Sequence, residues 1–277
     1  MEYILSLFIA VFGLILGSFF NVLIWRLPRE ESIVWPGSHC PQCNRPIRPL
    51  ENIPLLSYLF LRGRCAGCKT RISPIYPIVE LITGMGALFL FQFFLWKTSQ
   101  SDNQVIWANY LHFILQSIVL LILIPITIID FQHYIIPNEI TYALIPLGLA
   151  ASFLPNDPTP LQSIIGMFAG SGLLYGIGLL GKILFRKGEA MGLGDVKLLA
   201  GIGALWGPKV VLLTIMFGSI FGSLASIALI ITRKLNKDHH IPFGPYLAAG
   251  VWTAVLVGDL IVKSYWAFVN NISFIGR

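Results

Sequence analysis

The chain has 277 residues, of which 56% are hydrophobic and only 12% are charged, so it is too apolar to be a soluble globular protein. Its net charge of +6 gives no reason to expect a nucleic-acid partner, because the basic residues follow the pattern of membrane loops. The composition predicts an all-α polytopic membrane protein whose environment is the lipid bilayer.

Apolar runs long enough to cross a hydrocarbon layer of ~30 Å recur along the chain. They predict about eight transmembrane helices, near residues 3–25, 75–96, 106–129, 138–154, 161–184, 197–206, 209–232 and 243–265. We expect these helices to form a single integral membrane domain over residues 1–277. The segment 26–74, between the first two helices, is poor in aliphatic residues and is expected to be a small insertion.

The distribution of Lys and Arg predicts the orientation of the helices. With eight crossings, one side of the membrane holds the segments 26–74, 130–137, 185–196 and 233–242. Counted with the adjoining helix ends, these segments contain nearly all of the 19 basic residues. The exceptions are Lys97, Lys209, Lys263 and Arg277. Because positive charge is concentrated on the cytoplasmic side of membrane proteins, the N-terminus is expected on the outer side.

All four cysteines lie in the predicted cytoplasmic insertion, in the segments HCPQCNRP and GRCAGCKT. Two C-x2-C pairs separated by 21 residues are typical of a zinc ribbon, in which each pair turns two thiolates toward a tetrahedral Zn²⁺. The sequence therefore predicts a structural zinc ion bound by Cys40, Cys43, Cys65 and Cys68, which would replace a hydrophobic core. Redox pairs or unbound thiols are the alternative, although a reducing cytoplasm disfavours disulfides.

Two aspartates lie at the ends of apolar runs, where acidic residues are rare and need a reason. Asp130 ends the third predicted helix and Asp195 begins the sixth, so the charge asymmetry places both at the cytoplasmic boundary. Gly192 and Gly194 precede the second acid. Because glycine has no Cβ, this segment can adopt a positive φ and allow another segment to come close.

Two carboxylates a few ångströms apart share one proton, because both cannot ionise easily. Such a pair can activate water with one acid and protonate a departing amide nitrogen with the other, which is peptide hydrolysis. The structural alternatives are that Asp195 caps a helix or pairs with Lys197, and that Asp130 is solvated at a helix end. A proton-coupled transporter would also carry acids, but near mid-membrane and with internal repeats that the sequence does not show.

The segment Gly192-Leu193-Gly194-Asp195 matches the Gly-x-Gly-Asp signature of membrane aspartyl proteases. With IIDFQHYIIPNEIT around Asp130, it closely resembles the bacterial prepilin peptidases, also called type IV leader peptidases. The N-terminal GSFFNVLIWRLP, the paired C-x2-C loop and the C-terminal IPFGPYLAAG are similar to that family as well. These motifs occur in the family's order and span nearly the whole chain.

The resemblance implies that Asp130 and Asp195 are the catalytic acids and that Gly192 and Gly194 form the backbone beside them. It implies cleavage, after a glycine, of the leader peptide of type IV prepilins or type II secretion pseudopilins at the cytoplasmic face of the bacterial inner membrane, with the N-terminus in the periplasm. Members with the cysteine loop also methylate the new N-terminal residue with S-adenosylmethionine. No residues for methyl transfer are predicted, and a protease of this signature with other membrane substrates is the alternative.

Overall fold

The computed structural model describes residues 2–99, 107–155, 158–185, 192–232 and 241–275. Residues 186–191 and 233–240, which belong to two of the segments predicted to be cytoplasmic, lie outside the described part of the chain. The chain divides into two compact units, Met1–Ile129 and Asp130–Arg277. That residues 1–277 form one integrated domain stays a prediction.

The first unit is built on a pair of long helices, α1 (Glu2–Arg26) and α3 (Ile75–Ser99). Gly13 faces Ala87 and Gly84, whereas Gly17 faces Glu80 and Thr83, so the two helices run antiparallel with their backbones in contact. The loop between them contains the cysteines and the short α2 (Leu56–Phe60). The fourth helix, α4 (Trp107–His133), begins in this unit and ends in the second.

The second unit is organised around one helix, α7, which contacts the three others. The helices are α5 (Asn138–Ala151), α6 (Pro160–Phe185), α7 (Leu193–Ile231) and α8 (Gly244–Ile275). The centre of the unit is a cluster of fully or almost fully buried aliphatic side chains, Leu174, Leu199, Val211 and Leu247. Gly148 and Gly201 let α5 approach α7 closely, since a Cβ on Gly201 would lie 2.6 Å from Leu144 Cβ.

A break at Gly207 divides α7 into two parts. Gly207 has φ 76° and ψ −177°, which is not helical, and Pro208 follows it. A positive φ is readily adopted only by glycine, and proline lacks the N–H that would continue the helical hydrogen bonding. The break falls where the sequence predicts one helix to end and another to begin, between residues 206 and 209.

Six helices of the described residues are long and apolar enough to cross a membrane. The number differs from the predicted eight for two reasons. The helix expected over 138–154 is α5, which has only 14 residues, about 21 Å of helix. The helix expected over 197–206 begins at Leu193 and continues into the next one across the Gly207 break.

The surface of these helices confirms a polytopic all-α membrane protein. Large apolar side chains point away from the packed helices along their length, including Phe8, Phe168 and Leu260, which are 64%, 65% and 66% exposed. An apolar surface of this extent is unfavourable in water and favourable against lipid. The chain is therefore a multi-pass membrane protein.

Candidate functional site

The four cysteines come together in the loop of the first unit. Their Sγ atoms all lie within 4.8 Å of one another, and those of Cys40 and Cys68 are 3.8 Å apart. Each pair is presented by a similar turn, in which the backbone N–H of the first cysteine donates to the carbonyl of the residue five positions later. The residues after the second cysteines, Asn44 and Lys69, both have a positive φ, of 53° and 61°.

This arrangement fits a tetrahedral metal ion. Four thiolates about 2.3 Å from one Zn²⁺ would be about 3.8 Å from each other, which matches the spacing of Cys40 and Cys68. Hydrogen bonds with the side chain and the backbone of Thr70 lower the pKa of the Cys68 thiol to about 6. A hydrogen bond with the Arg45 backbone lowers the pKa of the Cys43 thiol. Desolvation and the three other thiols together raise it by more, so the net pKa is about 11. Four thiols this close need a cation before all can ionise.

An ion pair joins the two cysteine turns to the rest of the loop. Arg45 Nη2 donates to Glu51 Oε1 at 2.7 Å, and the backbone N–H of Arg48 donates to Glu51 Oε2 at 3.3 Å. The hydrogen bond from the Arg45 side chain, followed by that from Arg48, lowers the pKa of Glu51. The aliphatic part of Arg45 lies against Gly67 of the second turn, so the pair also positions the turns relative to each other.

Asp130 lies in the last turn of α4 and is only 5% exposed. Its Oδ2 accepts a hydrogen bond of 2.9 Å from the backbone N–H of Gly244, the first residue of α8. N–H groups at a helix start have no acceptor within the helix, so this one is free to bind a carboxylate. A Cβ on Gly244 would lie 2.7 Å from the same oxygen, so no larger residue fits without moving Asp130.

Asp195 lies in the first turn of α7 and is 8% exposed. Its Oδ1 is buried and has no hydrogen-bond partner among the described residues. The carboxylate of Asp130 is close enough for its charge to act on Asp195, so the second unit brings the two acids near each other. A buried acceptor without a donor is costly unless it binds something in the working protein.

The chain segment after Asp130 passes directly beside Gly194 of the predicted signature and beside Gly244. A Cβ on Gly194 would lie 2.9 Å from Ile136 Cβ, and a Cβ on Gly244 would lie 3.3 Å from Ile136 Cδ1. Ile136 is therefore enclosed by the two glycines that adjoin the acids. Gly194 permits a close approach, as expected, whereas the positive φ suggested for Gly192 and Gly194 is wrong: Gly192 has φ −68°, and neither is among the described glycines with positive φ.

Two structural alternatives for Asp195 are not realised. The residue that caps α7 is Gly192, and no side chain donates or accepts a capping hydrogen bond there. Lys197 does not pair with Asp195; its Nζ donates to Asn138 Oδ1 at 2.9 Å and lies 4.7 Å from the centre of the Tyr142 ring. Lys197 thus joins the first turns of α5 and α7.

Three polar residues of the first unit, Asn21, Arg26 and Glu80, are buried and form hydrogen bonds within it. Asn21 donates to the carbonyl of Tyr76 at 3.0 Å and so bridges α1 and α3. Arg26 is 6% exposed and donates to loop carbonyls, including Ser32 O at 2.7 Å, rather than reaching lipid headgroups. Glu80 is 8% exposed and accepts a hydrogen bond of 2.8 Å from Leu55 N.

The residue that sequence reasoning missed is Gly244. The motif IPFGPYLAAG indicates a helix start, which α8 confirms, but an ordinary helix start and a contact with the acids were equally compatible with it. The contact could have been suspected from the glycine before Pro245. A glycine at a helix start has a free N–H and no side chain to block an approaching carboxylate. The partner of that N–H lies 114 positions away and has no local signature.

Two family models match the chain in succession. The Bacterial Peptidase A24 N-terminal domain matches residues 11–94, which include all four cysteines. The Type IV leader peptidase family matches residues 117–227, which include both aspartates. No solved structure matches the chain.

Curated relatives match over most of the chain. A protein of Aeromonas hydrophila is 35% identical over 279 residues, covering 92% of this chain and 91% of that protein. One of Pseudomonas aeruginosa is 33% identical and covers 93% of this chain and 92% of that protein. One of Neisseria gonorrhoeae is 35% identical and covers 94% and 92%. All three are named prepilin leader peptidase/N-methyltransferase, and the chain described here belongs to the type IV leader peptidase family.

Proposed function

We infer that this enzyme removes the leader peptide of type IV prepilins or pseudopilins and then methylates the new N-terminal residue. The observation that carries the peptidase part is the pair of buried carboxylates, Asp130 and Asp195, close enough for their charges to interact. Both acids are at helix ends, whereas a proton-coupled transporter would place them near mid-helix. The names of the relatives favour prepilins over other membrane substrates.

The reaction needs one proton shared between the two acids. The ionised carboxylate takes a proton from water, and the water oxygen forms a bond to the scissile carbonyl carbon. The protonated acid then donates its proton to the amide nitrogen as the carbon–nitrogen bond breaks. The products are the carboxyl end of the leader and a free N-terminal amine on the mature pilin.

The environment of the pair supports this chemistry. The Gly244 N–H fixes one oxygen of Asp130 at 2.9 Å, so that carboxylate has a defined orientation. The unpartnered Oδ1 of Asp195 is available to bind water or the substrate. Gly194 contributes by leaving room for Ile136, which keeps the segment after Asp130 close to the start of α7.

The cysteine site is proposed to hold a structural zinc ion. Cys40, Cys43, Cys65 and Cys68 would supply all four ligands, and a closed tetrahedral set leaves no position for a reacting water. When bound, the ion supplies folding energy to the loop and neutralises its thiolates. No step of peptide cleavage depends on it.

Methylation requires S-adenosylmethionine, which supplies an activated methyl group when it is bound. The amine released by cleavage is its acceptor, so the two activities follow each other on one substrate. We also propose that the enzyme lies in the bacterial inner membrane with its N-terminus in the periplasm and with both acids and the cysteine loop at the cytoplasmic side. This orientation places the scissile bond of a membrane-anchored prepilin beside the acids.

Mass spectrometry of a prepilin incubated with the purified enzyme and S-adenosylmethionine tests both activities together. Cleavage after the leader glycine and one added methyl group are expected. Asp130→Asn and Asp195→Asn should each reduce cleavage by at least about 10³-fold, because neither variant can share a proton as the pair does. Asp259→Asn is the matched control, since Asp259 binds Lys209 instead. Unchanged cleavage by the first two variants would remove the peptidase proposal.

A further inference from the structure

The first unit contains a cavity that the peptidase chemistry does not use. It has a volume of about 380 Å³ and lies among the end of α1, the cysteine loop and the start of α3. The lining residues that matter here are Asn21, Trp25, Arg26, Tyr58, Tyr76 and Glu80. Pockets for small molecules occupy roughly 300–1,000 Å³, so the size suits a nucleoside-sized ligand.

Glu80 is a buried acid in this cavity without a cationic partner. It is 8% exposed, and its carboxylate interacts with two neutral groups, the Leu55 N–H at 2.8 Å and the Ser18 side chain. The ion pairs found among the described residues, Arg45–Glu51 and Lys209–Asp259, do not include it. A buried carboxylate without a counter-charge is costly and favours binding of a cation.

The nearby guanidinium is not that cation. Arg26 lines the same cavity, but its Nη1 donates to Ser32 O at 2.7 Å and its Nη2 to Pro36 O at 2.6 Å. These bonds hold the start of the loop against the end of α1. Two other arginines line the cavity: Arg45 pairs with Glu51, and Arg71 forms none of the ion pairs found among the described residues. A positively charged ligand would supply the counter-charge that Glu80 lacks.

The aromatic residues that line the cavity indicate which kind of ligand it can bind. Trp25, Tyr58 and Tyr76 line the cavity together with Glu80. Aromatic faces attract cations and also stack on nucleobases. A buried carboxylate among aromatic side chains suits a small molecule that carries a positive charge and a planar base.

We propose that this cavity binds S-adenosylmethionine and that Glu80 pairs with its sulfonium. The inference rests on the proposed function, which requires this donor and leaves its site unassigned. In the transfer, the pilin amine nitrogen forms a bond to the methyl carbon as the sulfur–carbon bond breaks, leaving neutral S-adenosylhomocysteine, and the methylated amine releases a proton to solvent. Glu80 thus discriminates the charged donor from the neutral product.

Direct binding to the purified full chain, measured by calorimetry with S-adenosylmethionine and with S-adenosylhomocysteine, tests the pairing. Glu80→Gln keeps an acceptor for Leu55 N but loses the charge. It should raise the Kd for S-adenosylmethionine about tenfold and that for S-adenosylhomocysteine less than about threefold. Glu80→Asp should keep the preference, and the exposed Glu30→Gln, outside the cavity, should change neither value. Equal changes for both ligands, or none, would overturn the pairing.

Photolabelling of the unmodified enzyme with an azido derivative of S-adenosylmethionine tests the site without any substitution. Label in peptides covering residues 18–26 or 72–80 supports the cavity, and label confined to residues 130–275 overturns it. Prepilin cleavage is measured on the same preparation. If cleavage fails while the Glu80-dependent preference remains, the proposed peptidase function is wrong and the donor site stands.

Discussion

The two units hold their functional groups in opposite ways. In the first, the cysteine turns belong to a loop with large apolar side chains left exposed, such as Val34 and Trp35 at 82% and 78%. In the second, Asp130 and Asp195 are buried at helix ends, and their neighbours leave no room for an added Cβ at Gly244 or Gly194. The first site, as proposed, depends on a bound metal ion, whereas the second depends on glycines that have no Cβ.

Because of this difference, we expect the two sites to respond in opposite ways to metal removal and to an added methyl group. A loop that lacks a core should lose its structure when its metal is removed, and small changes in the surrounding side chains should matter little. A site formed by close backbone packing should tolerate loss of metal but not the addition of a single methyl group. Each prediction below tests one side of this contrast.

The largest effect is expected for metal removal. Cys40→Ser should lower bound zinc, measured by atomic emission on purified protein, from one ion per chain to almost none, since three thiolates do not complete a tetrahedral structural site. The loop should then become sensitive to protease between residues 30 and 72. Chelation followed by added zinc is the control, and it should restore protection in the unmodified chain only. A variant that keeps one zinc per chain would contradict the four-ligand site.

A methyl group at Gly244 should nearly abolish cleavage. In Gly244→Ala the new Cβ would lie 2.7 Å from Asp130 Oδ2, so the carboxylate must move and its hydrogen bond to the backbone is lost. A displacement of about 1 Å at a catalytic group costs about 10²-fold in kcat/KM. Gly222→Ala is the matched control, because its Cβ would meet ordinary contacts beginning at 3.5 Å. Full activity of Gly244→Ala would show that a Cβ at this position does not displace Asp130 enough to affect cleavage.

A smaller loss is expected for Gly194→Ala. Its Cβ would lie 2.9 Å from Ile136 Cβ, which displaces the segment after Asp130 without touching either carboxylate directly. A decrease of about tenfold in kcat/KM is expected. The control is Gly172→Ala, where a Cβ would meet nothing within 4 Å, and this variant should cleave prepilin normally. Equal rates for the two variants would show that Ile136 moves aside easily.

The smallest effect is expected for Glu51→Gln in the cysteine loop. Arg45 lowers the pKa of Glu51, so the ion pair stabilises the fold above the pKa of an unfolded glutamate, about 4.3, and this contribution is lost as the pH falls through the lowered value. At pH 7 the melting temperature should fall by no more than about 2 °C, because the pair is partly solvated. The difference from the unmodified chain should shrink as the pH falls below about 4.3 and disappear only below the lowered pKa of Glu51. A large shift would mean that side chains, and not the metal, hold the loop.

Much of the fold could be predicted from local patterns. Apolar runs gave the positions of α1, α3, α4, α6 and α8, because membrane spans are set by length and hydropathy. The break at Gly207 and Pro208 could also be predicted, because glycine readily adopts a positive φ and proline lacks the N–H that a helix needs. The cysteine cluster could be predicted from spacing, because two C-x2-C turns can direct four thiols toward one point.

Contacts between distant segments could not be predicted in the same way. Two examples are the hydrogen bond from Gly244 to Asp130 and the packing of Ile136 against Gly194. Both depend on how the helices pack together, which the hydrophobic periodicity of each segment does not indicate. The reason given for Gly192 was wrong for the same cause: a glycine permits several conformations, and the fold selects one. The cavity beside Glu80 is formed by three separate segments, so no single stretch of the sequence indicates it.

The hydrophobic length of the second unit is uneven. α5 and residues 193–206 of α7 pack side by side and point the same way, since Leu144 faces Gly201 and Gly148 faces Leu205. Each spans about 21 Å, roughly a third less than the hydrocarbon of a typical bilayer. Residues 198–206 of α7 are buried inside the unit, so α5 is the short helix that faces lipid, with Tyr142 56% exposed. A bilayer thins beside such a short helix, and its headgroups and water are drawn inward. A polar peptide can then reach the start of α7, where Asp195 lies, by a shorter route than through a full-thickness membrane.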